Sequence, residues 1–182
     1  MSTKDSVITS SWIELFGHWS LTGSLLLLFL TNCGLLFSPL QILQRLFGNT
    51  RIASSIHHSA GIFFSISLII SFVVWIRDCL PNREDWDWLE GGGFFGQAGP
   101  SPSGGKFNTT QKLYFFGTTI FGIIASSSGI ILWNPYLFKR ELVAWGHAFH
   151  CFSATFFAIT GIIHIYLRHF PTIQRLKREK DY

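Results

Sequence analysis

Residues 145–170 read WGHAFHCFSATFFAITGIIHIYLRHF, an apolar run of membrane-spanning length that carries four histidines, His147, His150, His164 and His169. Ionisable side chains inside a membrane helix are costly, and where they occur they point to function. His150 and His164 lie fourteen positions apart. At about 100° per residue that spacing leaves them within roughly 40° of one face and about 21 Å apart along the axis. One helix can therefore hold two ligands at two depths. The other long-range combinations, His147 with His164 and His150 with His169, are each about 100° apart.

The rest of the chain fits that membrane setting. Of 182 residues, 48% are hydrophobic, only 13% are charged, and Phe occurs 19 times. The apolar residues cluster into four long runs, which predicts an all-α integral membrane protein: one membrane domain over 1–182, a four-transmembrane-helix bundle. The helices are expected at about 16–37, 56–76, 113–133 and 145–167, each near the ~20 residues that cross about 30 Å of hydrocarbon. The start, MSTKDSVITSSW, has no short apolar core followed by a small-residue cleavage site, so a removable signal peptide is not expected.

Lys and Arg set the expected orientation, because cytoplasmic flanks carry the excess. With the N-terminus inside, ten of the 14 basic residues fall on inner segments and four, Arg45, Arg51, Lys139 and Arg140, on outer ones. Both termini are thus expected in the cytoplasm, with a cytoplasmic loop at about 77–112. The basic C-terminal tail 168–182 meets anionic headgroups and accounts for the net charge of +4. No basic groove interleaved with aromatics is present, so nucleic acid is excluded as a partner.

Cys33, Cys79 and Cys151 are scattered, with no C-x-x-C and no C-x-x-C-H, which disfavours iron–sulfur ligation within this chain and covalent c-type haem. Met1 is the only methionine, so a haem held by two side chains would use His. No Glu-x-x-His or His-x-x-x-His set lies in a span, which argues against a catalytic metal. The loop begins with the acidic, Trp-bearing DCLPNREDWDWLE and continues as GGGFFGQAGPSPSGGK, expected to be irregular. It contains Gly105-Lys106, but a phosphate loop would need Gly at Pro100 and Ser or Thr at Phe107. The loop is expected to cover the inner end of the bundle or to meet a partner.

Topology and histidines combine into two levels. His57 and His150 fall near the outer ends of helices two and four, whereas His18 and His164 fall toward the inner side. Two imidazoles from facing helices suit the axial positions of a b-type haem, each giving one nitrogen to iron and its other N–H to an acceptor. Such sites are commonly built between the helices of a bundle. His58 in place of His57, and His147 in place of His150, remain open alternatives on sequence alone. His169 reads as interfacial. Glu14 reads as solvated, with proton delivery as a lesser reading.

Several stretches resemble the cytochrome b, or gamma, subunit of respiratory formate dehydrogenases. They are Gly17-His18-Trp19, Ile56-His57 with Gly61, Trp88-Leu89-Glu90-Gly91-Gly92-Gly93, Gly105-Lys106-Phe107-Asn108 through Gln111-Lys112, Ile131 to Pro135, and His150 to His164 with Ile165-Tyr166. The resemblance implies two haem b groups, with His57 and His150 holding the outer one and His18 and His164 the inner one. It also implies a quinone, menaquinone or ubiquinone, beside the inner haem and close to Asn108, Thr110 and His164. The family pattern usually has Gly where this chain has Thr110. The implied partners are an iron–sulfur (beta) subunit and, behind it, a molybdenum or tungsten catalytic (alpha) subunit, and a higher oligomer of that complex is compatible with the reading. The chain itself would be an electron-transfer subunit and membrane anchor with no formate chemistry of its own. Two other roles stay open: the same module in a hydrogenase or a thiosulfate or polysulfide reductase, and a haem-free membrane anchor. Asn108 and Gln111 supply amides at a helix mouth where a quinone carbonyl could bond, and Asn108 with the two threonines after it is also a natural helix cap.

Overall fold

A helix buried in lipid must satisfy its own backbone, so polar residues survive in a span only where they turn onto their own helix or meet another one. The computed structural model describes residues 12–36, 47–96, 98–102 and 105–180 and is helical throughout its regular elements. These are α1 (Trp12–Leu36), α2 (Thr50–Cys79), α3 (Arg83–Glu90), α4 (Thr109–Trp133) and α5 (Arg140–Lys180), with single 3₁₀ turns at Gly93–Phe95 and Pro135–Leu137. Four of them, α1, α2, α4 and α5, are long and apolar enough to cross a membrane. Lys4 and Arg45, both used to orient the chain, lie outside the described residues, as does the side chain of His169.

All four spanning helices start earlier than their apolar runs, α1 at Trp12. The Asn49 side chain accepts from the Ile52 N–H and opens α2 at Thr50. Asn108 and Gln111 bond each other's backbone N–H groups, at 2.9 and 3.0 Å, to open α4 at Thr109. Helix α5 starts at Arg140 and continues through Pro171 to Lys180, so the expected basic tail is the far end of the same helix. At 1.5 Å per residue such a helix is about 60 Å long, twice the hydrocarbon thickness.

Contacts divide the chain into two compact units, 1–122 and 123–182. In the first, α1 and α2 pack against each other. The α1 seam is Gly17, Ser24 and Thr31, spaced by seven, and the α2 seam includes Ala53, Ala60, Phe64, Ser67 and Ser71. Gly17 meets Ser71, and Thr31 meets His57, so the helices run antiparallel. Small residues allow this close approach. Hydroxyls within the seam bond back to their own helix, Ser24 to Ser20 O at 2.8 Å and Thr31 to Leu27 O at 2.9 Å. The first half of α4 lies on α2 in the same way: Phe115 stacks on Phe72, and Gly122 leaves the space that Leu68 fills. In the second unit Gly146 of α5 lies on Ile131 and Leu132 of α4. Large apolar side chains, including Ile62, Phe63, Ile69, Ile123 and Ile162, remain exposed along the spans, the surface expected of a chain solvated by lipid tails.

The acidic part of the loop forms α3, opened by a reciprocal cap between Asn82 and Asp85. Asp85 also ties this helix to α4. Its Oδ2 accepts from the Lys112 ammonium at 2.6 Å and from the Asn82 N–H at 2.7 Å, while Oδ1 accepts from the Thr109 hydroxyl at 2.6 Å. Asp85 and Lys112 are only 3% and 5% exposed. Burial alone would raise the Asp85 carboxyl, but the Lys112, Thr109 and Asn82 bonds outweigh it and hold the group below its ordinary value of 3.8. A second tie corrects the reading of Glu14 as solvated: it is ion-paired with Lys106, which also reaches Asp78 at 3.5 Å. The hydrogen bond from Lys106 to Glu14 raises the lysine above its ordinary value, against the opposing effect of burial.

Breaking the Asp85 node should be costly. Asp85→Ala leaves the Lys112 ammonium buried and unpaired and is expected to cost about 3 kcal/mol, whereas Asp85→Ala with Lys112→Met should cost much less. Because the folded carboxyl titrates below 3.8, its contribution is complete above that pH and is lost as the pH falls through the folded value. Thermal unfolding of the detergent-solubilised protein checks both points: the acid-side loss should be present in the native chain and absent in the double variant.

Candidate functional site

His57 belongs to the buried α2 seam, since Ala53, His57, Ala60 and Phe64 recur at helical spacing on one face. It stands seven residues into α2 instead of at its end, because the Asn49 cap starts the helix earlier. Its Nδ1 lies 2.9 Å from Thr31 Oγ1 of α1. Thr31 is 1% exposed and directs its one hydroxyl proton to the carbonyls of Leu27 (2.9 Å) and Leu28 (3.0 Å). Its oxygen is then the acceptor and His57 Nδ1–H the donor.

His150 repeats the arrangement in the other unit. Its Nδ1 lies 3.1 Å from the Ala125 carbonyl oxygen and 3.1 Å from Ser128 Oγ, both on α4. A carbonyl only accepts, so Nδ1 carries the proton. Ser128 donates to Ile124 O at 2.7 Å and accepts from the imidazole. Gly129 makes room for the ring: a Cβ there would stand 3.4 Å from His150 Cε1. One turn further along α5, Ser153 is 0% exposed, and its hydroxyl has no hydrogen-bond partner.

In a neutral imidazole protonated on Nδ1, the lone pair is on Nε2, the form that binds a metal. Both rings are thus set in a ligating tautomer by helices that do not carry them. The neighbours differ: His147 is exposed, whereas His150 is half-buried against α4. His58 is half-buried on α2. His18 is exposed on α1, its ring edge-on to Trp19 at 5.8 Å, and His164 is exposed on α5. Thr110 is exposed in the first turn of α4, and its N–H donates to Ser101 Oγ at 3.2 Å. Asn108 has its side-chain oxygen engaged in the cap with Gln111. Thr31, Ala125 and Ser128 carry no sequence signal as site residues. Only their spacing from the histidine-bearing helices in three dimensions reveals them, although Thr31 does continue the Gly17–Ser24 heptad.

Four helices long and apolar enough to cross a membrane, with imidazoles held between them through Nδ1, are the features of a multi-pass helical membrane protein. A family model described as prokaryotic cytochrome b561 matches residues 9–177, and the chain belongs to that family. Among curated relatives, it is 25% identical over 169 residues to the formate dehydrogenase cytochrome b556(fdo) subunit of Escherichia coli K12, covering 91% of this chain and 80% of the relative. It is 24% identical over 172 residues to the nitrate-inducible formate dehydrogenase cytochrome b556(Fdn) subunit of the same organism, covering 92% and 79%. The formate dehydrogenase cytochrome b556 subunit of Haemophilus influenzae Rd is 26% identical over 156 residues, covering 82% and 65%.

The family name implies a b-type haem, and the side chains present fit one: two imidazoles engaged through Nδ1, whose Nε2 would be the nitrogen offered to iron, a glycine beside one ring and an orphaned buried hydroxyl one turn away. The Gly129 fit can be tested directly. Gly129→Ala should be tolerated within about 1 kcal/mol, since it adds helix propensity at an ordinary contact distance. Gly129→Leu must displace the ring from Ala125 and should cost about 1–3 kcal/mol. Thermal unfolding separates the two, and equal losses would mean that the ring does not depend on this space.

Proposed function

We propose that this chain is the cytochrome b subunit of a membrane-bound formate dehydrogenase, anchoring the complex and carrying its electrons from an iron–sulfur subunit to membrane quinone. The observation that carries the reading is the matched setting of His57 and His150, each in an apolar span and each held through Nδ1 by a neighbouring helix. The similarity to formate dehydrogenase subunits over most of the chain supports the choice of complex.

In this reading His57 and His150 hold one haem b and His18 and His164 the other, as their depths in the helices suggest. When bound, the two haems supply one-electron transfer across the hydrocarbon. The protein's part is to fix the ligands, exclude water from the apolar spans and offer polar groups at a quinone site. For that site we propose Asn108, Thr110 and His164. Asn108 and Thr110 share the first turn of α4, where Asn108 caps the helix through its oxygen while its amide N–H₂ group remains a donor for a quinone carbonyl. Thr110 keeps an exposed hydroxyl in the turn where the resembling family usually has Gly. The α3–α4 tie through Asp85 holds that turn in place. Both termini and the α3 loop lie on the cytoplasmic side of the inner membrane, where the protons for quinone reduction are available. Beyond the iron–sulfur partner stands the molybdenum or tungsten subunit that oxidises formate.

Formate added to membranes containing the complex should reduce a b-type α-band, and added quinone should reoxidise it. If hydrogen or a sulfur compound reduces that band and formate does not, the chain serves another oxidoreductase.

A further inference from the structure

Two features of the hydroxyls beside His57 and His150 go beyond holding a ring still. Thr31 and Ser128 are 1% and 4% exposed, so their interactions with the imidazoles are not screened by water. Each also gives its own proton to a helix carbonyl, Thr31 to Leu27 at 2.9 Å and Ser128 to Ile124 at 2.7 Å. A hydroxyl that is already donating is polarised, and its oxygen becomes a stronger acceptor. The two imidazoles come from different helices and different units, yet each meets the same device: a hydroxyl that donates to its own backbone and accepts from Nδ1.

We propose that Thr31 and Ser128 are positioning residues that tune haem through the histidine each one meets, Thr31 through His57 and Ser128 through His150, each lowering the reduction potential through its Nδ1–H bond. The inference rests on the ligand assignment given above. An acceptor on Nδ1–H draws the proton outward and leaves more electron density on Nε2, which makes the imidazole a better donor to iron. A better donor favours the ferric form, and hydrogen bonding around axial ligands is one of the protein's means of setting a haem potential. The two histidines should respond unequally. Ser128→Ala leaves His150 the Ala125 carbonyl, which no side-chain replacement removes, whereas Thr31→Val takes away the hydroxyl that His57 Nδ1 meets. Thr31 should therefore matter more than Ser128.

The test uses the intact complex in membranes with Thr31→Val, Thr31→Ser and Ser128→Ala, titrated electrochemically at the α-band and examined by low-temperature EPR of the oxidised haems. Both haems should be retained. One midpoint should move to higher potential in Thr31→Val and by less in Ser128→Ala, with a matching change in that haem's largest g-value. Thr31→Ser should restore the native values, and the other haem should not respond. An unchanged midpoint in Thr31→Val with both haems present overturns the proposal, as does equal haem loss in the Val and Ser variants, which would give Thr31 a packing role alone. His57→Gln is the separate check on the ligand assignment: loss of one haem upholds it, and retention of both with native midpoints removes it together with the tuning role.

Discussion

An imidazole can remain inside an apolar helix only if another element takes its polar edge. In lipid there is no water to do so, and an unmatched N–H costs several kilocalories per mole on the usual transfer scales. The structure answers this twice, with Thr31 of α1 for His57 and with Ala125 and Ser128 of α4 for His150. The helix packing follows from the same demand. Thr31 reaches His57 because Gly17, Ser24 and Thr31 let α1 lie close on α2, and Ala125 reaches His150 because Gly129 lets the ring lie close on α4. Helices α1 and α4 thus do two things at once: they complete the apolar packing and they choose which nitrogen of each histidine carries the proton.

At its other end the first unit is fastened by charge. Asp85, fully used by Lys112, Thr109 and the Asn82 N–H, joins the short α3 to the first turn of α4, and Lys106 joins the loop to Glu14 of α1 and Asp78 of α2. A Gly- and Pro-rich connection is held there by a handful of ionic contacts, with Gly92, Gly96 and Gly99 taking up the left-handed backbone that its turns need. The result is a defined surface around Asn108 and Thr110 in a segment whose composition suggests none.

Much of this was legible in the sequence. Four apolar runs of the right length announce four helices, and histidines within them stand out because so little else there is polar. The helix starts were less visible, since hydropathy locates the apolar middle of a helix while its cap lies a turn or two earlier in a polar stretch. Asn49 and Asn108 carry that information in their own identity, and Asn82-x-x-Asp85 carries it for α3, which the acidic composition concealed. The partners of the histidines were not legible. Thr31, Ala125 and Ser128 are ordinary small residues of membrane helices, and they become site residues only when helix packing brings them within 3.1 Å of an imidazole. The Asp85–Lys112 pair spans 27 positions and was hidden for the same reason.

The proposed role requires histidines that clamp haem iron between apolar helices, and counting haem tests that requirement most directly. Pyridine-haemochrome analysis of the purified native complex should give two b-type haems for each copy of this chain, and the His150→Ala complex should give one. A native protein without b-type haem, or a His150→Ala protein that still carries two, would contradict it.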